Sequence, residues 1–197
     1  MKRRGFIGFL VGLFLCPLRR VAEAICNPNF VRLVDRGQDW VRSGTGTRVV
    51  TDPNFNVTPG IEAHAVTISN DHFTHNNVGA VGGEPRILRG TTLRQTWNPI
   101  RIRVKDITIV NLPSQRGWDY ETASNSIFVY EMGRFCLAYL GNIGHLLTPV
   151  QERPLQRVDV VMISIDARFN LDFDDIVKVI EQVKPPIVIP MHYENRY

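Results

Sequence analysis

Cysteine is scarce: Cys16, Cys26 and Cys136 are the only three in 197 residues, and no two form a Cys-x-x-Cys pair. That excludes a thiolate-rich metal site and thioredoxin-like redox chemistry. No uncharged apolar run approaches the ~18 residues of a membrane-spanning helix. Internal repeats, low-complexity tracts and linker-like stretches are lacking too, so the length points to one domain. The body of the chain also lacks an excess of either charge. The net charge of +4 comes from residues 1–24, where Lys2, Arg3, Arg4, Arg19 and Arg20 face only Glu23. Removing these from the totals of 23 basic and 19 acidic residues leaves 18 of each. A neutral body has no electrostatic footprint for phosphate backbones, which argues against a nucleic-acid partner.

The basic leader follows the grammar of an export signal. Lys2-Arg3-Arg4 precedes an uncharged run over residues 5–18, and Ala22-Glu23-Ala24 supplies a small-x-small cleavage site. Such a run spans about 21 Å as a helix, short of the ~30 Å hydrocarbon core. Arg3-Arg4 with Phe6 and Ile7 fits the twin-arginine route, and an ordinary secretory signal is the alternative. The expectation is a signal peptide over 1–24 and a folded domain over 25–197, periplasmic or otherwise exported. Membrane contact would come only through an uncleaved leader. Cys26 and Cys136 then either pair in an oxidising compartment or leave Cys136 as a buried thiol.

In the body, apolar β-branched runs predict strands over 30–34, 48–51, 64–69, 100–110, 126–130 and 135–140, with Gly133 turning a hairpin. Residues 158–165 are apolar almost throughout, as for a strand covered on both faces. A helix follows, with Ile176, Val179, Ile180 and Val183 on one face, Asp174 and Asp175 in its first turn and Pro185 as its stop. Ile187-Val188-Ile189 closes the pattern, which predicts a layered α/β fold with helices outside.

The five histidines are His64, His72, His75, His145 and His192. His64 sits within a strand and reads as structural. The other four lie where strands give way to loops, the usual place for a site in an α/β protein. Their collection points to a shared metal site. Asp71 reads as a solvated neighbour or a ligand, and Asp166 as a loop residue with a compensating carboxylate as the lesser alternative. Trp97, Trp118 and Tyr120 either wall a pocket or simply pack. Asp172, Asp174 and Asp175 form a helix start that requires no chemistry.

The order of these segments resembles the metallo-β-lactamase fold, and within it the ascorbate-6-phosphate lactonase-like and related metal-dependent hydrolases. Thr51-Asp52-Pro53 is similar to an Asp-Pro found there after an early strand. Residues 140–148 are similar to a Leu-Gly-Asp-Leu-Gly-His-Leu-Leu-Thr segment, and 184–193 to a closing Lys-Pro-x-x-x-x-Pro-Met-His-Tyr. The resemblance covers about residues 30–193. It implies a four-layer αββα sandwich, complete or truncated, and a metal site with His72, His75 and His192 as ligands. Asn142 and His145 are the implied catalytic candidates, and one zinc, manganese or iron ion the implied cofactor.

Departures from the family pattern lie at the same place. Its His-x-His-x-Asp-His signature has Asn70 at the first histidine and Thr74 at the aspartate. Its bridging aspartate corresponds to Asn142, Gln38 stands loosely at another histidine, and no histidine occurs between His75 and His145. Two Zn²⁺ ions ~3.7 Å apart repel by roughly 18 kcal/mol at an effective dielectric of ~20. Neutral amides and a hydroxyl do not offset that repulsion as carboxylates do. A dinuclear centre is therefore not expected. Two readings stay open. One is a hydrolase of a small-molecule ester, lactone or phosphoester, working through a hydroxide on one metal ion. The other is a pseudoenzyme kept as an exported binding or interaction module.

Overall fold

The computed structural model describes residues 39–54, 61–116, 124–167 and 170–192. The leader, the candidate disulfide partner Cys26, the expected strand 30–34, and Gln38, Trp118 and Tyr120 lie outside them. Within the described residues, two sheets face each other. The first has the order β1 (Asp39–Arg42), β2 (Arg48–Thr51), β4 (Ala65–Ile68) and β6 (Arg86–Arg89). The second runs β12 (Ile187–Met191), β11 (Val160–Ser164), β10 (Phe135–Tyr139), β9 (Ser124–Met132), β8 (Ile107–Gln115) and β7 (Arg101–Val104). A small ribbon pairs β3 (Ile61–Glu62) with β5 (Val81–Gly82).

Period-two alternation decides which residues meet between the sheets. Val41, Val49, Ala65 and Leu88 from the first sheet pack on Ile109, Phe128, Tyr130, Leu137, Tyr139 and Met162 from the second. Their chain neighbours Ile127, Val129, Ala138, Leu140, Val161 and Ile163 point the other way. That outer face is covered by α1 (Pro149–Leu155) and α2 (Phe173–Val183). Ile176, Val179 and Val183 of α2 are buried there, as the helical spacing predicts, and each contributes about 1.5–3 kcal/mol by leaving water. Asp172 caps α2 by accepting from the Asp175 amide at 2.8 Å. Lys184 ends it at φ +54, just before Pro185.

The α/β sandwich expected from the sequence is present. On the far side of the first sheet, Trp40, Val50, Val66 and Ile68 pack under the β3–β5 ribbon and a 3-10 turn, Val78–Ala80, among the described residues. One strand expectation needs correction: 100–110 is a hairpin. Ile107 pairs with Val104 across Lys105-Asp106, and Lys105 takes φ +53. Lys105 and Asp106 make a turn that the alternation running on either side of them had concealed. Cys136 holds a free, partly buried thiol. Burial, with Asp159 and Glu131 nearby, pushes its pKa up.

Candidate metal-ligand and anion site

Strands β2, β4 and β6 run parallel, as do β10, β11 and β12, and the site lies at their C-terminal ends. Buried Asp52 holds this end together from just past β2. Its carboxylate accepts from the Ser69 amide at 2.6 Å, from the Ser69 hydroxyl, and from Tyr139 Oη at 2.8 Å. The sequence showed Asp52 only as part of a motif, without this role. Ser126 donates its amide to Ser69 O at 2.9 Å and its hydroxyl to Gly90 O at 2.8 Å, pinching the two sheets together. Gly141 sits so close that a Cβ would come within 2.6 Å of Asn125 Oδ1 and 2.7 Å of Ser69 Oγ. The loops after β4 and β10 therefore start from adjoining, fixed points.

On the first loop, His72 and His75 bracket Thr74, whose hydroxyl lies 2.6 Å from His72 Nδ1 and 2.9 Å from His75 Nδ1. The Thr74 amide also points at His72 Nδ1, at 3.4 Å. With the Thr74 amide and hydroxyl both donating to His72 Nδ1, the same hydroxyl accepts from His75, whose Nδ1 lies at 2.9 Å and Nε2 at 3.5 Å. The His75 ring lies 5.6 Å, centroid to centroid, from His72 and equally far from His192. His192 follows β12 at φ +57, an unusual backbone for a residue with a Cβ. Its Nδ1 is 3.8 Å from Asp166 Oδ2. The structure thus brings His72, His75, His192 and Asp166 into one neighbourhood.

The electrostatics favour the neutral forms of His75 and His72. Burial first, then His192, His72 and Arg116, lower the His75 pKa to about 3 against the opposing pull of Asp166. Burial and then Arg116 also lower that of His72. Arg116 was not singled out from the sequence. Its only advance signal was its place just past the long strand β8. Asn70 and Asn142, 2% and 4% exposed, face inward with their Oδ1 atoms unpartnered. Asn70 Nδ2 donates to Ser69 Oγ at 3.0 Å, and the Asn142 amide to Asn125 Oδ1 at 3.1 Å.

Other candidates fall elsewhere. His145 donates from Nδ1 to Leu146 O at 2.7 Å, and its Nε2 accepts from the Gln115 amide at 3.1 Å. Both nitrogens are engaged, so in this structure His145 braces the end of β8. His64 Nδ1 accepts from the Arg48 amide at 3.0 Å and is structural, as expected. Asp71 is drawn to Arg89 at 3.2 Å and Asn76 at 2.9 Å. Trp97 is exposed and bridges to Thr91.

Two imidazoles sharing one tetrahedral ion have ring centroids roughly 5.4 Å apart, from N–metal distances of ~2.1 Å. The spacing here is similar, but the His75 and His192 planes are stacked only 11° apart, so one ring must turn before both face a common ion. Among the described residues, however, no three His, Cys, Asp or Glu side chains already stand as a closed ligand cluster. Thr74 holds His72 Nδ1 in a hydrogen bond, so a third ligand must come from Asp166 or from release of His72.

Residues 39–192 match the beta-lactamase superfamily domain. Among curated relatives, a UPF0173 metal-dependent hydrolase of Thermoplasma acidophilum is 30% identical over 95 residues, 48% of this chain and 41% of that protein. One of Methanosarcina mazei is 27% identical over 79 residues, 40% of this chain and 34% of that protein. The matched segments span well under half the length of these relatives. The fold is shared with a Thermotoga maritima protein assigned to the Zn-dependent hydrolases of the metallo-β-lactamase superfamily. That match has a TM-score of 0.66 and 23% identity, covering 85% of this chain and 77% of that one. An isothiocyanate hydrolase from Delia radicum gut bacteria aligns with a TM-score of 0.58 and 12% identity, over 83% of each chain. From its sheets, its strand-end site and its matched residues, the chain belongs to the beta-lactamase superfamily domain family.

Proposed function

We propose that the chain is a hydrolase of a small-molecule ester, lactone or phosphoester that works with a single metal ion. The observation that carries this is the pairing of His75 and His192, two rings 5.6 Å apart beside Asp166. His75 Nε2, His192 and the Asp166 carboxylate would hold the ion, with His72 joining if Thr74 releases it. This nitrogen-and-oxygen set suits zinc, manganese or iron. A second ion does not fit, because Asn70, Thr74 and Asn142 add no negative charge. When bound, the ion supplies Lewis-acid polarisation of a carbonyl or phosphoryl oxygen. The protein does the rest. Thr74 accepts from His75 Nδ1 and so leaves His75 Nε2 to the ion, and Asn142 Oδ1, buried and unpartnered, accepts from the attacking water and orients it. An export leader over 1–24 and a periplasmic location complete this reading.

Metal content per chain, measured by elemental analysis with a His75→Ala/His192→Ala control, tests it. About one ion per chain, lost in the control, is the expected result. No metal above the control after reconstitution would sink it. The protein would then be a binding module on an enzyme fold, a reading favoured by the position of a permanent cation, Arg116, beside the same rings.

A further inference from the structure

Arg116 carries its charge without a visible counterion. Its Nε is buried and has no hydrogen-bond partner. No carboxylate among the described residues lies within ion-pair distance of the guanidinium; the ion pairs found there join Arg89 to Asp71, Lys178 to Asp175 and His192 to Asp166. His72 and His75, whose pKa values its charge helps to lower, cannot balance it. A guanidinium held partly out of water needs an anion or a set of acceptors, since an uncompensated charge there is strongly unfavourable. Nor is its position a matter of chance. The preceding residue, Gln115, is held from both sides: its amide donates to His145 Nε2 at 3.1 Å, and its carbonyl accepts from the Gly144 amide at 2.9 Å. Those two contacts bind the end of β8 to the loop that carries Asn142.

We infer that Arg116 is an anion-binding residue, whose planar fork takes the phosphate or carboxylate group of a ligand beside His72 and His75. A guanidinium matches two oxygens of either group at once, which a point charge does not. The buried Oδ1 atoms of Asn70 and Asn142 are acceptors in the same strand-end region. They select the part of the ligand next to its anion for O–H or N–H donors, or receive a water that bridges to it. The ligand is therefore an anionic, hydroxyl- or amino-bearing small molecule. His145, assigned above as a brace, becomes the positioning residue for Arg116. The inference rests on the reading above for the location of the site, but not for the metal.

The test is titration of the full chain, stripped of metal by chelation, with inorganic phosphate and separately with acetate, against chloride at matched ionic strength. Binding is followed by the shift in unfolding midpoint and by the Arg116 Nε–H resonance in ¹⁵N spectra. Saturable stabilisation with movement of that resonance is the expected result. Arg116→Gln should weaken binding at least about tenfold, and Arg116→Lys should weaken it less. The stronger of the two probes identifies the phosphate or the carboxylate as the natural anion. Arg116→Gln should still take up metal as the wild type does in a separate elemental analysis, so loss of the metal reading and loss of this one are told apart. An unmoved Arg116 resonance, absence of saturable binding by the wild type, or undiminished binding by Arg116→Gln overturns the inference.

Discussion

Removing one hydroxyl, by Tyr139→Phe, tests whether Asp52 ties the two halves of the site together. Tyr139 Oη donates to Asp52 Oδ2 at 2.8 Å, inside a cluster that also takes the Ser69 amide and hydroxyl. Tyr139 is 1% exposed and Asp52 6% exposed, so water cannot replace the lost donor freely. Phenylalanine keeps the ring and opens no large cavity. The loss is therefore close to that of a hydrogen bond to a charged group, about 1.5–3 kcal/mol. In a domain of this size, about 2 kcal/mol corresponds to a drop of roughly 4–8 °C in Tm. Urea unfolding followed by circular dichroism should show a lower midpoint at unchanged slope, because the surface exposed on unfolding is the same. In an Asp52→Asn background the same change should cost much less, since the partner charge is already gone. A Tyr139→Phe cost below about 0.5 kcal/mol, or an equal cost in both backgrounds, would refute the tie.

Two further outcomes follow from the same geometry. The folded-state pKa of His75, about 3, lies below its ordinary value of 6.5, so the unfolded chain binds the extra proton first as pH falls. The stability associated with neutral His75 is complete above about pH 6.5 and is lost progressively towards pH 3, by an amount on the order of a few kcal/mol. Unfolding of metal-free protein between pH 4.5 and 6.5 should show this slope, reduced in His75→Gln; equal slopes would contradict the assignment. Gly141→Ala should destabilise by about 2–4 kcal/mol, since φ is +58 and the new methyl meets Ser69 and Asn125 at 2.6–2.8 Å. A thermal scan within about 1 °C of wild type would show that this end of the sandwich is loose.

Legibility followed burial. Strand β11, helix α2 and strand β12 could be read directly, because a strand covered on both faces and a helix with one apolar face have unmistakable patterns. Strand β2 was legible to the residue. The edge strand β6 was not: Arg86 and Arg89 bracket it and Ile87 is exposed, so no alternation marks it. Helix α1 was hidden by Pro149 and Pro154, although Thr148 and Gln151 form the capping pair that starts it, with the Thr148 amide donating to Gln151 Oε1 at 2.8 Å. In the site, the histidines announced themselves by type and position. Arg116 did not, since an arginine after a strand has no signature until the packing shows what it faces. Nor did the bracing contacts of His145, which residue type alone does not reveal.

The site's polarity runs in one direction, and that constrains what it can do. Three imidazoles are brought together, two of them with lowered pKa values, while Asn70 and Asn142 present carbonyl oxygens rather than charge. Among the described residues, Asp166 is a carboxylate beside the ring pair, on the His192 side. Arg116 sits where it depresses His72 and His75. On the proposed reading, a cation entering from solution would be repelled near Arg116 and attracted near Asp166, which would place a single ion at the His75–His192 edge. An anionic group is drawn to the opposite edge by the same field. A molecule with its anion on Arg116 would lay its neighbouring atoms across His72 and His75 towards that ion. If both proposals hold, this separation of charge would seat one metal and one anionic ligand side by side in place of two metals sharing a bridge.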